Sequence, residues 1–177
     1  MKLVKSDDPI LYTAPQRFDF SNPPIDPQEL VDTLKQAMIK HGGVGLSANQ
    51  IGLPYQVFVA GDPKDPDNVV GVFNPRIVHQ SDQVITVEEG CLSFPGLFLK
   101  IDRPAVIRIR YTGVDGKTDT YVYEGIPARV IQHEMDHMHG KVFTSHVSDL
   151  KLKRAKQQQT KLNRIRKKNI ERAKQYG

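Results

Sequence analysis

His133, Glu134 and His137 form the pattern H-E-x-x-H within IQHEMDHMHG, residues 131–140. On a helix, side chains four positions apart share one face about a turn from each other, so both imidazoles can reach one metal ion. The glutamate beside the first histidine can then approach a water on that metal and act as a base. Two ligands leave the site incomplete, and the third separates one class of metal hydrolase from another.

Downstream the choices are poor. Gly140 is present three residues after His137, but the position of a third histidine in the H-E-x-x-H-x-x-G-x-x-H pattern is Phe143, which binds no metal. The acids beyond His137 are Asp149 and Glu171, the second inside a basic tail, and His146 belongs to no motif. Upstream, VEEGCLSFPG places the only cysteine, Cys91, between Gly90 and Leu92. A cysteine thiolate is a strong ligand for a divalent transition metal. One cysteine makes no internal disulfide, which fits a reducing compartment.

The elements that must position these groups are legible in part. Asp26 suits a helix N-cap and Pro27 the first helical position, with Glu29 three after the cap. Leu30, Val31, Leu34, Ala37 and Met38 recur at helical spacing, predicting a helix from about 27 to 41 that stops at HGG. GVGLSANQ reads as a loop. YQVFVA, VVGVFNPRIV (69–78) and VITVE (84–88) read as strands, and AVIRIRYTGVDGKTDTYVYEG as a hairpin turning at Asp115-Gly116. Residues 126–139 are expected to form the helix that carries the two histidines. Val130, Ile131, Glu134 and Met138 share a side with them, so that side must be enclosed. The expected fold class is α+β: antiparallel sheets around a central H-E-x-x-H helix, with an N-terminal helix and a C-terminal basic helix.

With 177 residues, 38% hydrophobic and 25% charged, the chain fits one globular domain with no repeat or low-complexity linker. No apolar run is long enough for a membrane span or a secretory signal, and a cytoplasmic location is expected. The net charge of +5 hides an asymmetry. Residues 151–177 hold eleven Lys or Arg and one acid, so residues 1–150 carry a net −5. We read 1–150 as the catalytic domain and 151–177 as its basic helical extension, with a thin apolar stripe of Leu152, Leu162, Ile165 and Ile170. An acidic body is not a nucleic-acid surface, but a basic appendage can dock on a phosphate-rich partner.

Three motifs stand in order: GVGLSANQ at 43–50, EGCLS at 89–93 and QHEMDH at 132–137. Together they resemble the peptide deformylases, which remove the formyl group from the N-terminal formylmethionine of new polypeptides. The resemblance runs from DDPIL near the start to beyond the second histidine. It implies that Cys91, His133 and His137 bind one divalent metal, with Glu134 as general base. It further implies that Gln50 and the Leu92 backbone N–H meet the formyl oxygen, and that Val44, Gly45, Leu46, Glu89, Gly90, Ile126 and Arg129 bind substrate. Arg129 would offer its aliphatic stem to the methionine pocket. The implied cellular metal is Fe2+, with Zn2+, Ni2+ or Co2+ able to replace it. The implied partners are nascent formylmethionyl polypeptides met by a monomer, and the tail could reach the ribosome or be a solvated helix.

Departures from the family pattern are small. Ser47 stands where alanine is usual and Met138 where leucine is common, and neither is expected to affect activity. One rival reading is an H-E-x-x-H endopeptidase cleaving internal bonds, against which the missing downstream ligand counts. Another is a ribosome- or RNA-binding protein with a degenerate enzyme core, against which the intact ligand set counts.

Overall fold

The computed structural model describes residues 1–176; Gly177, the end of the expected tail, lies outside the described residues. Helix α1 spans Pro27–Lys40, and the Asp26 side chain caps it by accepting from the Glu29 N–H at 3.0 Å. Strands β1 (Gly45–Ser47), β2 (Val57–Ala60), β3 (Val70–Gln80), β6 (Val106–Thr112) and β7 (Thr118–Glu124) form one antiparallel sheet in the order β1-β2-β3-β6-β7. Strands β4 (Val84–Gly90) and β5 (Phe98–Pro104) form a separate two-stranded ribbon.

The sheet is covered on both faces, so β2 is apolar throughout. Val57 and Val59 meet Leu30, Leu34 and Met38 of α1, while Phe58 and Ala60 face Ile131, Met135 and Met138 of helix α2 (Gly125–Met138). The β4–β5 ribbon closes the remaining side of α2, where Arg129 and Gln132 donate to the backbone carbonyls of Ile101 and Pro104. The histidine-bearing helix is therefore enclosed between two sheets. Its C-terminal turn needs Gly140, which sits at φ +63°, where a Cβ would lie 2.6 Å from the Ala14 backbone nitrogen. No helix among the described residues is long and apolar enough to cross a membrane.

The expected elements were found, with two additional strands. The segment read as a loop contributes β1, where Leu46 pairs with Val59 and backbone pairing overrides glycine's weak strand preference. The second addition is β5, whose burial alternates: Leu99, Ile101 and Arg103 point inward while Lys100 and Asp102 point out. Helix α3 (Asp149–Tyr176) begins two residues before the expected tail. Its first half meets the body, with Leu152 and Ala155 against the cluster of Cys91, Leu97, Leu99, Ile101 and Phe143, and Gln159 donating to the Pro95 carbonyl. Leu162, Ile165 and Ile170, expected to extend the apolar stripe, are exposed.

Candidate active site

Helix α2 presents His133, Glu134 and His137 on one buried face, and the turn after β4 brings Cys91 to them. One donor atom from each of Cys91, His133 and His137 falls within 4.8 Å of the other two. The Cys91 Sγ lies 3.5 Å from His137 Nε2. One thiol and two imidazoles in this grouping suit a four-coordinate divalent metal, leaving a position for water or substrate. His137 Nδ1 is a buried polar atom without a hydrogen-bond partner, as is Asn49 Oδ1.

The two imidazoles sit in opposed electrostatic settings. Burial works against a charge on His133, but hydrogen bonds with Cys91 and Glu89 outweigh it and push its pKa up to about 10. For His137, burial and the neighbouring His133 act together and push the pKa down to about 3. The pocket thus favours one positive charge beside the thiol and a neutral imidazole with a free lone pair. A metal cation can supply that charge.

Behind the ligands lies a buried ion cluster. Arg103 donates from Nε and Nη2 to both oxygens of Glu89, at 2.6 and 2.8 Å, and from Nη2 to Asp136 Oδ2 at 2.8 Å. Glu89 Oε2 lies 3.2 Å from His133 Nδ1, which fixes the ring and turns Nε2 toward the ligand group. Burial alone would raise the Glu89 carboxyl, but bonds from His133, Arg103 and Arg129 hold it well below the carboxylate range. Glu134 is the opposite case: burial raises it, and the His133 charge and the Ser47 hydroxyl offset this only in part.

These groups open on a cavity of about 1090 Å³. Its lining includes Val44, Gly45, Gln50, Glu89, Gly90, Cys91, Leu92, Ile126, Arg129, His133 and Glu134. Gln50 is 1% exposed, with its Oε1 held by the Ser47 N–H at 2.9 Å and its Nε2 turned to Cys91 Sγ and Ser93 Oγ. Gly45 is bare for a reason: a Cβ there would sit 2.5 Å from Glu134 Oε1. His137 is wholly buried behind this lining.

One expectation needs correction. The Leu46 side chain is buried in the core beside α1 and does not line the cavity. Arg129 does line it, and its guanidinium points into the protein, binding Glu89 Oε1 and the Ile101 carbonyl, each at 2.9 Å, and the Ile85 carbonyl. Sequence reasoning missed Arg103 and Asp136; the signal was a charged residue on the inward register of an alternating strand. Ser47, read as inconsequential, donates its hydroxyl to Glu134 Oε2 at 2.6 Å.

Comparison with known proteins agrees with this geometry. The polypeptide deformylase family model matches residues 1–153. A peptide deformylase of Stutzerimonas stutzeri is 34% identical over 164 residues, 93% of this chain and 96% of that protein. Peptide deformylase 1B of Arabidopsis thaliana, chloroplastic/mitochondrial, is 37% identical over 152 residues, 84% of this chain and 55% of that longer protein. The crystal structure of a Legionella pneumophila peptide deformylase superposes with a TM-score of 0.83 at 30% identity, covering 93% of this chain and 96% of that one. The internal-bond metallopeptidase reading is not favoured by these relatives. The chain belongs to the polypeptide deformylase family, metal-dependent hydrolases that remove the N-formyl group from newly made polypeptides.

Proposed function

We infer that this chain hydrolyses the formyl amide of N-formylmethionyl polypeptides, releasing formate and a free amino terminus. The observation that carries the reading is one cavity lined by Cys91, His133, an oriented amide donor and a buried carboxylate, with His137 completing the S,N,N set directly behind it. Cys91, His133 and His137 hold the metal, with Fe2+ as the cellular ion and Zn2+, Ni2+ or Co2+ as substitutes. When bound, the metal activates water and polarises the formyl carbonyl.

The remaining work falls to this chain's side chains. Glu134 accepts a proton at its carboxylate as water adds to the formyl carbon, and returns it to the departing amine. Burial, which raises its pKa, strengthens it as the acceptor in the first of these transfers. Gln50 Nε2 and the Leu92 N–H donate to the formyl oxygen as charge builds there. Formyl carries hydrogen where other acyl groups carry carbon, so a tight seat admits it and excludes acetyl.

The substrate backbone lies extended beside β1, an edge strand of its sheet, and beside β4 of the ribbon. Gly45 lets it approach Glu134, while Val44, Ile126 and the stem of Arg129 flank the methionine side chain. Leu46 contributes backbone polar groups alone. Glu89 and Gly90 complete the wall, Glu89 acting through His133.

Protein purified without oxygen and loaded with iron, nickel or zinc is expected to release formate from formyl-Met-Ala-Ser and none from acetyl-Met-Ala-Ser. Glu134→Ala should lose about 10²–10⁴ in kcat while keeping its metal. One bound metal per chain with no formate from any loaded form would overturn the reading.

A further inference from the structure

Ser47 touches the base and the oxyanion donor at once. Its hydroxyl donates to Glu134 Oε2 at 2.6 Å, and its backbone N–H donates to Gln50 Oε1 at 2.9 Å. The residue has no exposed surface, so bulk water does not compete for either bond. It ends β1, where pairing with Phe58 in the middle of the fold fixes its backbone.

The consequence for Glu134 is positional. The last torsion of a glutamate side chain is broad, so a carboxylate left alone in a cavity samples many orientations. Here Oε2 is held by the Ser47 hydroxyl, and Oε1 occupies the space left by the missing side chain of Gly45. The carboxylate plane is set from both sides, with both contacts coming from one short strand. The same strand end fixes which end of the Gln50 amide faces Cys91.

We propose that Ser47 is a positioning residue for deformylation: its hydroxyl holds the Glu134 carboxylate in register with the Gln50 donor. The proposal rests on the deformylase reading. An alanine at this position would keep the backbone bond to Gln50 and lose the hold on Glu134. The expected cost therefore lies in the chemical step and not in substrate binding.

The test compares Ser47→Ala, Ser47→Thr and Ser47→Val in metal-loaded, full-length protein with formyl-Met-Ala-Ser. Threonine and valine have the same shape and differ in the hydroxyl, so packing changes common to both cancel. Ser47→Ala is expected to lower kcat about tenfold and to leave KM within about twofold, a fraction of the hundredfold that a misplacement of about 1 Å can cost. Ser47→Val should fall about tenfold below Ser47→Thr in kcat, at equal metal content. Equal kcat for the Thr and Val variants, or Ser47→Ala matching wild type, overturns the proposal alone. Metal-loaded wild type that releases no formate overturns the deformylase reading and this proposal with it.

Discussion

Helices α2 and α3 are both regular, yet they are helical for different reasons. In α2, Gly125 and Pro127 open the first turn and β-branched Val130 and Ile131 precede two histidines, a sequence of modest intrinsic helix preference. It is held by enclosure: Ala128, Ile131, Met135 and Met138 are buried, and so are Arg129, Gln132, His133, Glu134 and His137. α3 is twice as long, 28 residues against 14, and rich in Lys, Arg, Gln and Ala, which favour helix without help. None of its described side chains is buried. Arg129, His133 and Asp136 of α2 pair with Glu89, Arg103 and His146; on α3 the one ion pair among the described residues is Lys167–Glu171 at 4.0 Å, largely exposed. Enclosure makes each polar atom of α2 consequential, whereas α3 contributes chiefly a field.

The contrast is sharpest when one charge is removed from each region. Arg103→Ala leaves Glu89 and Asp136 buried without their shared cation. The expected loss is about 3–5 kcal/mol in folding stability, read from urea unfolding, together with weaker metal retention as Glu89, which orients His133, keeps only Arg129 of its two arginines. Lys161→Ala on α3 should change stability by less than about 0.5 kcal/mol. A similar small effect at both positions would show that water reaches the α2 cluster and would erase the distinction.

Acid should strike the same cluster. Burial pushes Asp136 up, but His146 at 2.8 Å and Arg103 bring it below its usual value, and Glu89 lies lower still. The unfolded chain protonates these carboxylates near pH 4, roughly, and the folded chain only at lower pH. Their contribution is therefore complete above about pH 4 and is lost as pH falls through the folded values. Unfolding free energies between about pH 6 and pH 2, with chelator present to remove proton competition for the metal, should be flat above about pH 4 and fall steeply below it in wild type. In Arg103→Ala the slope should flatten, because the folded carboxyls move back toward their unfolded values. Identical slopes would mean that the depression does not come from Arg103.

What could be read beforehand follows the same division. The H-E-x-x-H helix, its enclosed side and the cysteine upstream were visible because residue type and spacing encode them within single motifs. Arg103 and Asp136 were not, since their importance comes from β5 lying against α2, a contact between residues 33 apart in sequence. β1 was hidden because three residues with a glycine carry no strand signal until β2 pairs with them. Ser47 was noticed as a substitution, but its bond to Glu134 spans 87 positions, and only the fold reveals it. The directions of the Leu46 and Arg129 side chains depended on packing, which turns Leu46 into the core and the Arg129 guanidinium toward Glu89.

The smallest effect on chemistry is expected from α3, whose test depends on where the helix leaves the body. Leu152 and Ala155 pack beside Cys91, Gln159 Nε2 donates to the Pro95 carbonyl at 2.7 Å, and Asn163 borders Gly96. Deleting 151–177 whole would strip cover from the cluster that carries a metal ligand and confuse support with docking. Deleting 164–177 removes six of the eleven basic residues and spares those interactions. We propose that this distal stretch attaches the enzyme to the ribosome by pairing its cations with phosphates. The truncation should then weaken ribosome binding and flatten its salt dependence by about one unit for each phosphate no longer paired, with kcat on short formyl peptides within about twofold of wild type. Unchanged ribosome affinity would leave α3 as a solvated helix. A large fall in kcat would show that the end of α3 supports the site, bringing the two helices closer in kind than their burial indicates.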